Sequence, residues 1–372
     1  MSETDLQATT WLVLAASFAI AVAFGALAQQ TRFCTMGAVA DVAVMGDWTR
    51  LRLWGIAMGT AIVGFQAMVA LGWVAAADSF YAGPNLLWLS AALGGAAFGV
   101  GMVLAGGCAS RNLLRAGTGN LKALVVLLVV AFAGFATLKG ITAVWRVHTV
   151  DAVYVALAGS QDLPSILARA TGSPAARWAG TLGLALGGAL LAACAWPRRE
   201  RAPGLILGGA GLGLLVVAAW WVSGVLGHVT EHPVTLEPAF LATNSRRMEA
   251  LSFVAAVSHA ADYLLFFSDA AKVLTIGVVS AAGMILGAAL HALATRSLRW
   301  EGFTNIADLR DHLAGGVLMG VGGVTALGCT IGQGLSGIST LSVSSFIALA
   351  GIVGGAVAAL KLQAWRIERA AG

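Results

Sequence analysis

The chain is dominated by recurring apolar runs, each long enough to cross a bilayer. They fall at about Trp11–Ala28, Leu53–Ala77, Leu86–Gly107, Leu121–Val144, Trp178–Trp196, Leu205–Leu226, Val273–Ala294, Leu313–Leu327 and Leu341–Leu362. A spanning helix needs roughly 20 apolar residues, so nine runs predict nine spans. Of the 372 residues only 10% are charged, too few to cover a soluble core of this size. The 22 basic residues are spread over short loops and form no basic face, which argues against a nucleic-acid partner. The expected class is therefore an all-α integral membrane protein with about nine transmembrane helices, folded as a single transmembrane domain over residues 1–372.

Two further apolar segments fit a full crossing poorly. Thr31–Asp47 is too short, and Met248–Phe267 is interrupted by Ser258, His259 and Asp262. Both are expected to be short helices entering from one side, where protein or a watery cavity surrounds them. His259 and Asp262 lie three apart on one helix face, where they could line the path or satisfy each other; the second is expected.

Charge orients the spans. With the N-terminus outside, Arg32, Arg50, Arg52, Arg111, Arg115, Lys122, Arg198, Arg199, Arg201, Arg296, Arg299, Arg310, Lys361, Arg366 and Arg369 fall inside. Only Arg146, Arg169, Arg177, Arg246 and Arg247 fall outside, and Lys139 and Lys272 lie at span ends or inside a span. Cytoplasmic loops carry the basic excess, so the N-terminus is expected outside and the C-terminus in the cytoplasm. The first residues carry Glu3 and Asp5 instead of a positive leader; this and the size fit a bacterial inner membrane.

The chain repeats itself. Gly94–Leu114 laid over Gly315–Leu335, an offset of 221, gives ten identities in 21 positions. The two copies belong to halves of about 11–145 and 204–363, joined by a connecting span at about 176–196. One odd span between two halves inverts the second, an arrangement that places solute sites near the midplane of transporters. The expected fold is two inverted repeats with short re-entrant helices.

The aligned copies share Gly107-Cys108 and Gly328-Cys329, each following a glycine-rich span and preceding a small-residue loop. Glycine lets the backbone turn and approach a solute closely, and a thiol offers a weak donor and a polarizable sulfur. A lone membrane cysteine usually only packs; the same Gly-Cys in both copies makes Cys108 and Cys329 candidates for function. Cys34 stands in Phe33-Cys34-Thr35-Met36-Gly37, inside the first short segment. Cys194, in an alanine-rich span end, is expected to pack. Arg111 and Arg115 follow Cys108 near the expected cytoplasmic boundary, where they suit topology, lipid headgroups or attraction of an anion. His228-Val229-Thr230-Glu231-His232 spells an inverted zinc-peptidase pattern, but Pro233 follows at once and the segment lies past a span end, so a polar external loop is expected and no metal site.

Gly106-Gly107-Cys108-Ala109-Ser110-Arg111 with Gly117-Thr118-Gly119-Asn120, and Ala326-Leu327-Gly328-Cys329-Thr330-Ile331-Gly332-Gln333-Gly334-Leu335-Ser336-Gly337, resemble the two signature stretches of the YeeE/YedE family. Phe33-Cys34-Thr35-Met36-Gly37 resembles its first cysteine segment, though Thr35-Met36-Gly37-Ala38 replaces a more basic stretch. The resemblance covers most of the chain. It implies sulfur transport, an hourglass of inverted repeats, and a path in which Cys34, Cys108 and Cys329, with Gly107, Gly328, Arg111 and Gln333 beside them, pass a small sulfur-containing anion such as thiosulfate. It also implies a small cytoplasmic sulfur-carrier protein as partner, the lipid bilayer as surroundings, and no cofactor. Transport of another sulfur or selenium species, or a persulfide relay, stays open at this point. A relay needs a base beside the thiol, and no histidine or carboxylate lies close in sequence to Cys108 or Cys329.

Overall fold

The computed structural model describes residues 3–195, 203–233, 235–269 and 271–371. Arg198, Arg199 and Arg201, counted above for the cytoplasmic side, lie outside the described residues, as does Trp196.

The chain folds as helices in the order α1 (Glu3–Gln30), α2 (Thr35–Ala40), α3 (Thr49–Ala70), α4 (Trp88–Leu104), α5 (Ala109–Gly117), α6 (Leu121–Lys139), α7 (Ile141–His148), α8 (Leu163–Thr171), α9 (Ala175–Leu182), α10 (Gly188–Ala195), α11 (Pro203–Trp221), α12 (Val254–Leu265), α13 (Ile276–Ala294), α14 (Ile306–Thr325) and α15 (Val343–Ala371). The described strands are four two-residue pieces in loops. Among the described residues, eight helical stretches are long and apolar enough to cross a membrane. They match eight of the nine expected runs. The ninth is α14, 20 residues long, whose first two turns carry Asp308, Arg310 and Asp311. Its remaining turns are apolar and rich in buried glycine. This is an all-α membrane protein.

The two awkward segments are short helices, as expected. Thr31–Asp47 contains α2, which runs on as a π-helical turn through Asp41–Met45. Met248–Phe267 contains α12. The residues after Cys108 and Cys329 differ from expectation. They form α5 and a helical segment at 330–339 with a π-helical centre at Gly332–Gly337. Their small and polar residues read as loop, yet buried surroundings leave the backbone no water to bond, so it bonds itself into helix.

Packing partners come in matched sets. α4 packs on α14 and α15, and α14 on α6. α1 packs on α13, and α11 on α3; α12 packs on α6, and α2 on α15. Exchanging α1–α6 with α11, α12, α13, α14, the segment at 330–339 and α15, in that order, turns each contact into its counterpart. The helices meet closely because glycine removes the side chain at the crossing. A Cβ on Gly99 would collide with the Ile352 carbonyl of α15, and one on Gly287 with the Val22 carbonyl of α1.

Candidate functional site

Three helices end in the same way, and each ending delivers a cysteine. At the end of α1, Arg32 takes a left-handed φ of 52°, and the Phe33 N–H donates to the Ala28 carbonyl at 2.9 Å. At the end of α4, Gly106 has φ 65° and the Gly107 N–H donates to Met102 at 2.8 Å. At the end of α14, Leu327 has φ 59° and the Gly328 N–H donates to Gly323 at 2.8 Å. This six-to-one bond with a left-handed residue before it is the Schellman stop. The next residue is Cys34, Cys108 or Cys329.

Each cysteine is also the N-cap of the helix that follows. Its carbonyl accepts the first intrahelical bond, from Ala38, Asn112 and Gln333 respectively, at 2.9, 2.9 and 2.7 Å. A side-chain acceptor at this position satisfies one of the orphaned N–H groups of the first turn. Here sulfur does so twice: Gly37 N–H donates to Cys34 Sγ and Gly332 N–H to Cys329 Sγ, both at 3.4 Å. Cys329 Sγ takes a second bond from Phe253 N–H at 3.4 Å, just before α12. Cys108 Sγ is instead hydrogen-bonded to Ser110 Oγ at 3.1 Å. All three thiols are free and buried. Cys108 lies close enough to both Cys34 and Cys329 to interact with each. Cys194, the fourth cysteine, is half-buried and packs on Gly55 of α3, as expected.

The glycines and the amide of the expected set do distinct work. Gly107 and Gly328 are the last turn residues; a Cβ on Gly107 would lie 3.0 Å from Arg111 Cγ, and one on Gly328 3.1 Å from Gln333 Cγ. Gln333 turns its side-chain amide back to donate to the Ala326 carbonyl. Arg111 donates to Gln29 Oε1 at 3.2 Å and reaches Cys34 electrostatically, as Arg50 and Arg115 do. Of the three thiols, Cys34 is thus the one with arginines around it.

The turn before Cys329 adjoins a cavity of about 360 Å³. It opens among the end of α14, the starts of α12 and α13, and the loop after α3. Leu327 and Gly328 line it, with Tyr81, Ser252, Glu249, His259 and Arg146. Arg146 Nε is ion-paired with Asp151 at 3.1 Å. Tyr81 is buried, with its hydroxyl against Ser252 and Gly332 beside Cys329. His259 and Asp262 do not satisfy each other: Asp262 accepts two bonds from Lys272 Nζ at 2.8 and 2.6 Å, leaving His259 to the cavity. Lys272 sits ten residues away across the turn after α12, a pairing no helical spacing announces.

Several residues at the site carried no sequence signal taken up above. Asn112 donates to the Gly107 and Cys108 carbonyls at 2.9 and 3.1 Å. It stands at the repeat offset from Gln333, so the alignment held the hint, though identity counting passes over an Asn–Gln pair. Arg50 pairs with Asp41 at 3.3 Å, and its guanidinium rests on the bare face of Gly37, where a Cβ would meet Nη1 at 2.5 Å. Arg50, Tyr81 and Ser252 reach the cysteines only through tertiary packing.

Comparison with known proteins fits this geometry. The model of the Sulphur transport family matches residues 30–358. A thiosulfate transporter, TsuA, of Spirochaeta thermophila is 26% identical over 339 residues, covering 87% of this chain and 91% of its own. TsuA of Escherichia coli is 26% identical over 353 residues, covering 87% of each.

Proposed function

We propose, for a chain that belongs to the Sulphur transport family, that it is a bacterial inner-membrane permease taking up thiosulfate or a related sulfur-containing anion along Cys329, Cys108 and Cys34 in turn. The observation that carries this reading is the set of three buried thiols, each capping a helix that starts at a break, with Cys108 close to both of the others. The cavity beside Gly328 is the external mouth, and the arginines around Cys34 draw the anion toward the cytoplasm. The N-terminus lies outside and the C-terminus inside.

The chemistry suits passage better than capture. Thiosulfate is a dianion with a soft terminal sulfur. A thiol offers it a weak S–H bond, and helix N-termini add diffuse positive potential. Conduction needs binding strong enough to admit the ion and weak enough to release it. The two halves, about 11–145 and 204–363 around the connecting span at 176–196, form inverted repeats that place the thiols near the midplane; the matched packing sets support this division.

Transport is favoured over a persulfide relay and over any enzymatic role. Among the described residues the hydrogen-bond partners of these thiols are backbone N–H groups and Ser110, and none is a histidine or carboxylate that could act as base. A small cytoplasmic sulfur-carrier protein would take the delivered anion. The test is growth of a bacterium lacking its own thiosulfate uptake, with thiosulfate as sole sulfur source. The wild-type chain should restore growth, and Cys329→Ala, inserted at wild-type level, should not. Growth with Cys329→Ala equal to wild type would remove the thiol path.

A further inference from the structure

Two buried hydroxyls beside the path cysteines have no partner. Thr35 follows Cys34 and Thr330 follows Cys329, and each is the first residue of its helical segment. Thr35 is 6% exposed and Thr330 0%, and neither hydroxyl oxygen is hydrogen-bonded. Threonines deeper inside helices return the bond to the carbonyl four residues back, as Thr60 does to Ile56, Thr137 to Ala133 and Thr325 to Val321, and Thr49, first in α3, bonds the Asp47 carboxylate. Thr35 and Thr330 lack that option, since four residues back lies before the break. For Thr330 that carbonyl, Ala326, already accepts from Gln333. Burying a hydroxyl without a partner is unfavourable, so such a group at a solute path is expected to meet the solute.

The adjacent donors are already in use. The Gly37 and Gly332 N–H groups are spent on the cysteine sulfurs. The hydroxyls are therefore free donors standing one residue from each terminal thiol. The middle position has its own version, with Ser110 two residues after Cys108 and bonded to its sulfur. Another free donor lies between the two ends. The buried Trp54 indole N–H has no partner, while its ring stacks on Phe33 at 4.9 Å and reaches Gly334 in the Cys329 segment.

We propose that Thr35 and Thr330 are specificity-determining residues, whose hydroxyls donate to the oxygens of an anion whose terminal sulfur is held by the neighbouring thiol. This rests on the thiol path argued above. An ion of the thiosulfate class has two chemically different ends. Its oxygens are hard acceptors that need O–H or N–H donors when they leave water. Its terminal sulfur is soft and accepts a weak thiol bond. Sulfate presents only oxygens and hydrosulfide only sulfur, so each leaves one member of a Thr–Cys pair unmet. A site built for both rejects an ion lacking either.

The test compares Thr35→Val, Thr330→Val and Thr330→Ser with wild type in proteoliposomes, using radiolabelled thiosulfate. Valine keeps the shape and removes the hydroxyl; serine keeps the hydroxyl. Each valine variant should lose about tenfold in uptake at low thiosulfate, mainly through a raised KM, and Thr330→Ser should stay near wild type. The valine variants should melt no lower than wild type, because no internal bond is lost. Wild-type uptake in both valine variants overturns the proposal and leaves the thiol path standing. Valine variants melting several degrees lower overturn it too, since the hydroxyls would then be bonded within the protein. Failure of the wild type to take up thiosulfate overturns the path reading itself, and this proposal with it.

Discussion

Asn112 and Gln333 stand 221 residues apart, at equivalent places in the repeated segment, and each folds its side-chain amide back onto the turn that precedes its cysteine. Asn112 Nδ2 donates to the Gly107 carbonyl at 2.9 Å and the Cys108 carbonyl at 3.1 Å, and Gln333 Nε2 donates to the Ala326 carbonyl. An unmet carbonyl beside an anion path repels the anion. The amide N–H groups occupy these backbone oxygens, while Asn112 Oδ1 and Gln333 Oε1 themselves stay buried without a partner.

Exchanging either amide for the isosteric acid reverses this. In Asn112→Asp and Gln333→Glu an acceptor would face carbonyls within hydrogen-bonding distance. Each variant should be destabilised by about 2 kcal/mol or more, and should lose most thiosulfate uptake. Thermal melting in detergent and an uptake assay check both. Gln333→Met removes the bond without adding charge, and should cost about 1–3 kcal/mol for the unmet Ala326 carbonyl.

Gly37 makes room for a charge. Its missing Cβ leaves space for Arg50 Nη1, which a methyl would approach to 2.5 Å. Gly37→Ala should push the guanidinium away from Cys34 and loosen its 3.3 Å pair with Asp41. The expected result is uptake lowered about three- to tenfold, a partial loss like that of weakened solute positioning. Arg50→Gln should reproduce it. Full activity in both would separate Arg50 from the path.

Of the three Schellman stops, the two in the aligned copies differ in their left-handed residue: Gly106 at φ 65° in one, Leu327 at φ 59° in the other. A side chain at that φ costs about 1 kcal/mol relative to glycine. Gly106→Ala should therefore lower stability by about 1 kcal/mol, with the new methyl also lying 3.4 Å from Arg115 Nη1. Leu327→Gly should relieve the same strain while widening the cavity Leu327 lines. Melting curves of the pair should move in opposite directions, or leave Leu327→Gly unchanged where lost packing cancels the gain.

At the start of α14, Asp308 accepts from Lys122 Nζ at 2.7 Å and from the Thr304 N–H at 3.1 Å. The lysine bond first, then the backbone bond, hold this carboxyl well below the usual carboxylate range. A depressed acid contributes stability in full above its unfolded value, near 3.9, and loses it as pH falls through the lower folded value. Asp308→Asn should thus lower the melting temperature at pH 7 and at pH 5 alike. The gap from wild type should close only at more acidic pH. A gap that closes between pH 7 and pH 5 would contradict this assignment.

Much of the fold was legible because hydropathy in a membrane protein is nearly a direct reading of structure. The nine runs and the two short segments around Thr35–Ala40 and Val254–Leu265 became helices. The Gly-Cys pairs were legible because one turn recurs in two copies. The third copy, at Arg32-Phe33-Cys34, stayed hidden because it closes on arginine and phenylalanine instead of glycine. The helices after Cys108 and Cys329 were hidden by composition: Ser110, Asn112, Gly332 and Gly334 favour loops in water, and only burial forces them to bond as helix. Contacts such as Lys272 with Asp262, or Tyr81 with Ser252, depend on tertiary packing and leave no periodic trace.

The central claim is that the three thiols carry the anion, with Cys108 close to both of the others. The most direct measurement is uptake of radiolabelled thiosulfate into proteoliposomes by wild type and by Cys108→Ala of equal melting temperature, each with and without excess sulfate. The account predicts wild-type uptake that sulfate does not block, and a loss of at least about tenfold in Cys108→Ala, the scale on which a site rejects an ion when a paired contact is missing. Undiminished uptake by folded Cys108→Ala, or full block by sulfate, would contradict it.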